Sequence, residues 1–113
     1  MWPAATNAQS ILIDSLKQIL TRTDLPEEEQ VMTMGRLARI LYRADLKEAV
    51  RTGREALRIS RTLKDPQYRA WIHATLGYLY VQENNLYQAR QAIDTALMEA
   101  VQTGNNTVKG YVS

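Results

Sequence analysis

Residues 70–104 read AWIHATLGYLYVQENNLYQARQAIDTALMEAVQTG, and this stretch decides the fold. Its first half sets His73, Leu76, Gly77 and Tyr80 at i, i+3, i+4 and i+7, the spacing of one helix face, with Gly77 where a Cβ would hold a second helix away. Asn84-Asn85 breaks the helix. The second half resumes with Leu86, Ala89, Ile93, Ala96, Leu97 and Ala100 on one stripe, small residues mixed with larger ones so that two helices approach closely. Gly104 stands as a helix stop. The two segments predict an antiparallel helical hairpin.

The preceding chain reads as neighbours of this hairpin. Asn7 is placed to cap a leading helix over 7–22, with Leu12, Leu16, Ile19 and Leu20 on its buried side. Asp24-Leu25-Pro26-Glu27 predicts a capped helix start, Asp24 accepting from the Glu27 backbone, followed by Glu27, Glu28 and Glu29 at the positive helix end. The second helix, about 25–43, buries Val31, Met34, Gly35, Ala38 and Leu41. A third, about 46–63, has Leu46, Ala49, Val50, Gly53, Ala56, Leu57 and Ser60 on one stripe, and Lys64-Asp65-Pro66 closes it.

Two hairpins, over 25–63 and 66–103, superpose as an internal repeat. Their second helices align at an offset of 40, Leu46 with Leu86 and Ala49 with Ala89, and their first helices at 42, Met34-Gly35 with Leu76-Gly77. Lys109-Gly110-Tyr111 falls 40 after Arg69-Ala70-Trp71, so residues 107–113 read as the opening of a partial sixth helix. Leu76-Gly77-x2-Tyr80, then Ala89-x3-Ile93-x2-Ala96, resembles the tetratricopeptide repeat, with His73 at the usual Trp position and spacings above the family's common 34 residues.

The resemblance implies an all-α fold of antiparallel helical hairpins stacked as a short solenoid, a single domain that recognises other proteins. It also implies that the first helix of each hairpin lines a concave groove. Trp71, Ala74, Tyr78 and Val81 lie on the face of their helix adjacent to the packed one, and the resemblance places them in that groove. Their counterparts at an offset of 42 are Glu29, Met32, Arg36 and Arg39, with Arg43 a turn further on. A two-residue choice of register in the first hairpin decides whether those arginines face the groove. Basic on one side and aromatic on the other, such a groove suits an acidic peptide or helix with an apolar anchor. Because stacked repeats need about three units and a polar end to be stable and soluble, two hairpins also predict either a piece of a longer array or a last hairpin covered by a partner or by a second copy, as in a homodimer.

Charge is distributed unevenly: ten of the fourteen basic side chains fall between residues 36 and 69, against four acidic ones. Lys47, Arg51, Arg54, Arg58 and Arg61 follow one another along the third helix and predict an outward basic stripe, with Glu48 and Glu55 as salt-bridge partners. The alternative to a solvated face is a nucleic-acid contact, as in part of a transcriptional regulator. With one His, no Cys, no Gly-rich phosphate loop and no paired-carboxylate motif, the expectation is a non-enzymatic protein without metal or cofactor. His73 reads as a packing residue. Apolar runs are short and charge-broken, and residues 1–5 lack a signal-peptide pattern, which predicts a cytoplasmic chain without membrane contact. Asn105-Asn106-Thr107 forms a glycosylation sequon only formally.

Overall fold

A computed structural model of the chain describes residues 4–102. They form five helices: α1 (Ala4–Leu20), α2 (Glu27–Leu41), α3 (Leu46–Ser60), α4 (Gln67–Gln82) and α5 (Leu86–Gln102). No strand occurs among the described residues. The fold is the expected stack of antiparallel hairpins, α2 with α3 and α4 with α5, and α1 lies on α2. Helix α4 occupies the middle, packed against α2, α3 and α5.

That position explains how much of α4 is buried. Ile72, Thr75, Leu76, Gly77, Leu79 and Tyr80 are all buried, and Ile72, Leu76, Leu79 and Tyr80 join Val31, Leu37, Ala38 and Leu41 of α2 and Ala49, Val50 and Ala56 of α3 in one core. Burying a side chain of the size of Ile72, Leu76 or Leu79 contributes roughly 2 kcal/mol. Close approach at the hairpins rests on glycine. A Cβ on Gly77 would lie 2.6 Å from Ile93 Cγ1, and one on Gly53 would lie 2.8 Å from Leu76 Cδ2.

The turns follow local chemistry. At the end of α4, Asn84 takes the left-handed conformation, φ 62°. Its N–H donates to the Val81 carbonyl (2.9 Å) and that of Asn85 to the Tyr80 carbonyl (2.8 Å), a Schellman closure that satisfies two carbonyls of the last turn. Asp45 caps α3, its carboxylate accepting from the Glu48 N–H at 3.1 Å.

Several expected boundaries shift. Helix α1 begins at Ala4, so Asn7 sits inside it rather than capping it. The capping box at α2 does not form: Pro26 holds the cap position without a side-chain cap bond, which leaves Asp24 too far upstream of the first turn. Asp24 instead faces Arg22 at 3.4 Å, and the Gln30 amide donates to the Leu25 carbonyl at 3.2 Å. Leu12, Leu86, Ile93 and Leu97, expected inside, are exposed. Among the described residues α1 packs mainly on α2 and α5 mainly on α4, so part of each apolar surface is exposed. On α5 the covered side is Ala89, Ala92 and Ala96. Gly104, the sequon and the partial helix over 107–113 lie outside the described residues. Among the described residues no helix is long and apolar enough to cross a membrane.

Candidate partner-binding groove

Helices α2 and α4, the first helices of the two hairpins, lie side by side. Gly35 makes this contact possible, since a Cβ there would fall on the Trp71 ring and within 3.1 Å of Ile72 Cδ1. Trp71 thus sits level with Gly35, and Tyr78 meets Tyr42, so the two helices are staggered relative to their alignment as repeats. Met32, Arg36, Arg39 and Arg43 are exposed along α2 and its C-terminal turn, and Ala74, Tyr78 and Val81 along α4, with Trp71 half-buried between them.

Two clusters result. Met32, Arg36 and Trp71 line one concavity of about 450 Å³ together with Asp65, Gln67 and Tyr68. One to two turns further along, the Tyr42 and Tyr78 rings meet edge to face, centroids 5.4 Å apart at 84°. Arg43 Nε donates to the Tyr42 hydroxyl at 2.9 Å and its guanidinium lies over the same ring at 5.6 Å. Hydrogen bonding with Tyr78, and then with Arg43, holds the Tyr42 phenol below its ordinary pKa. The same contact with Tyr42, aided by desolvation, pushes the Tyr78 phenol up, against the pull of Arg43 and Arg39. The arginines stand on the α2 wall and the rings largely on the α4 wall.

Tyr42 and Tyr68 escaped the sequence reading of this surface. Both lie on its stripes, Tyr42 seven residues after Gly35 and Tyr68 three before Trp71, but each falls at a helix end where periodicity is weak.

The basic stripe of α3 forms a separate surface. Lys47, Arg51, Arg54, Arg58 and Arg61 are all exposed, and the first four line a concavity of about 580 Å³ with Val50, Glu55 and Glu83. Arg58 pairs with Glu55 as expected. Glu48 does not serve the stripe, because Lys17 of α1 takes it at 3.1 Å. Arg54 Nε donates to the Tyr80 hydroxyl at 3.0 Å, its guanidinium 5.6 Å from that ring.

His73 is largely buried between α4 and α5. Its Nδ1 lies 2.5 Å from Glu99 Oε1, and Arg69 Nε donates to Glu99 Oε2 at 3.1 Å, so one carboxylate ties two side chains of α4 to α5. Sequence placed His73 on the packed face and had no local signal for Glu99, which is 26 residues away. Among the described residues no group of three or more His, Cys, Asp or Glu side chains is arranged to hold a metal ion. Comparisons with protein-family models, with curated proteins and with solved structures return no match.

Proposed function

We propose that this chain is a non-enzymatic, cytoplasmic interaction module that binds an acidic peptide or helix of another protein across α2 and α4. The observation that carries this reading is the shared concavity of Met32, Arg36 and Trp71, continued by Arg39, Arg43 and Tyr78. Arginine forks pair with carboxylates, and Trp and Tyr rings seat apolar anchors. The tetratricopeptide resemblance supports the same face, since in that family the first helices line the groove.

The test is fluorescence anisotropy with a labelled peptide rich in Glu and Asp that carries one Leu anchor. Binding is expected to weaken at least about tenfold in Tyr78→Ala and in Arg36→Glu/Arg39→Glu, as truncating an anchor or inverting a paired charge does. An affinity unchanged by all of these substitutions sinks the reading.

A second reading has its own observation: Lys47, Arg51 and Arg61 make no ion pair among the described residues, and two of them share a concavity with Arg54 and Arg58. On that reading α3 contacts nucleic-acid phosphates. Affinity for a mixed-sequence duplex would then fall steeply with salt and be lost in Arg51→Glu/Arg54→Glu, with peptide binding intact.

A further inference from the structure

The apolar surface left uncovered in this fold is concentrated on one helix. Leu86, Tyr87, Ile93, Leu97, Met98 and Val101 of α5 are all exposed, Tyr87 at 70%, Leu97 at 60% and Met98 at 61%. At the angular spacing of an α-helix they fill a single arc beside the Ala89, Ala92 and Ala96 arc that packs on α4, with Ile93 at the boundary, where it also touches Gly77. A monomer rarely shows water so large a contiguous apolar face. Two charged side chains, Arg90 and Asp94, stand in the arc. Their ion pair is long, 3.9 Å, and solvent-exposed at both ends, so it holds neither side chain firmly in place.

We propose that α5 is a self-complementary interface on which a second copy of this chain lays its own α5 antiparallel. A two-fold axis level with Ala92 sets Leu86 against Leu97 of the partner subunit and Tyr87 against Met98 of the partner subunit. The same axis brings Arg90 within reach of Asp94 of the partner subunit, and each pairing is made twice. Charge selects this direction. A parallel pair would oppose Arg90 to its own copy and Asp94 to its own copy, which repels at both levels. If each of the six apolar side chains contributes about 100 Å², the pair removes on the order of 1,200 Å² from water, the lower bound for a stable protein interface. The interface uses none of the groove residues on α2 and α4, so it stands or falls separately from the peptide-binding reading.

The test is light scattering and sedimentation of the full chain from low micromolar to near-millimolar concentration. A dimer is expected at the upper end. Leu97→Asp should raise the dissociation constant at least about a hundredfold, since it sets two desolvated charges in the apolar contact. Leu97 is outside the core, so helical content by circular dichroism should be unchanged. Arg90→Asp and Asp94→Arg should each weaken the homodimer several-fold, roughly tenfold at most. Mixed in equal amounts, these two variants should recover the dimer, because each then meets opposite charges at both positions. A chain that stays monomeric throughout, a dimer indifferent to Leu97→Asp, or a mixture no tighter than its components overturns the proposal and assigns the α5 face to a different occupant.

Discussion

At Gly35 a missing methyl group sets the shape of the groove. Replacing it with Ala would place Cβ on the Trp71 ring and against Ile72, and Ile72 is fully buried, so the indole has to move outward into the concavity it lines. The gain in helix propensity, about 1 kcal/mol, offsets only part of an overpacking cost of about 1–3 kcal/mol. Gly35→Ala is therefore expected to lower stability by about 1 kcal/mol in urea denaturation. It should also shift tryptophan emission to the red and weaken peptide binding. Some of this residue-level detail is legible in sequence. Gly77 stands between Leu76 and Tyr80 at a spacing that marks close helix approach, and the repeat alignment brings Gly35 under it. What Gly35 touches is not legible, because the stagger of α2 against α4 is set by tertiary packing. The pairing of His73 with Glu99 is hidden for a related reason: no local pattern links side chains 26 positions apart on two different helices.

The elements obey local chemistry where that chemistry is unambiguous. The break between α4 and α5 is written in Asn84-Asn85, since Asn tolerates the left-handed conformation better than most residues and Gly better still. Asn84→Gly should keep both Schellman hydrogen bonds and relieve backbone strain, raising stability by about 0.5–1 kcal/mol. Asn84→Val should lose more than that. A rise in the midpoint of thermal unfolding for the first and a fall for the second is the check. The start of α2 is less legible because two rules compete there: Asp24 and Glu27 have the spacing of a capping box, but Pro26 takes the cap position itself. The buried side of α5 is ambiguous for a different reason. Alanines fill one arc of that helix and larger apolar residues the next, so periodicity is satisfied either way. Contact with α4 buries the alanines, Gly77 makes room for Ile93 at the edge of that contact, and the other bulky side chains are turned outward.

Across the whole molecule the helices differ in how many neighbours hold them. Among the described residues α4 packs on three other helices, whereas α1 packs mainly on α2, with one ion pair to α3, and α5 mainly on α4. In stacked hairpins each unit is stabilised by itself and by its interfaces with adjacent units, so a helix at the edge opens at lower free energy than one at the centre. Buried amides of α4, and after them those of α2 and α3, should exchange slowest with deuterated solvent, while those of α1 and α5 exchange earlier. The two edges differ in one respect. Helix α1 leaves Ile11 and Leu12 uncovered, but α5 carries the larger apolar arc with complementary charges inside it. Raising the protein concentration should slow exchange in α5 and leave α1 unaffected, because association stabilises only the helix it covers. Mass spectrometry of peptic fragments resolves the two edges. If all five helices exchange in one step at every concentration, the chain is a single cooperative unit and α5 gains nothing from a second copy. If α5 alone becomes protected, and Leu97→Asp removes that protection while α1 exchanges as before, the edge of the stack is where copies of the chain meet.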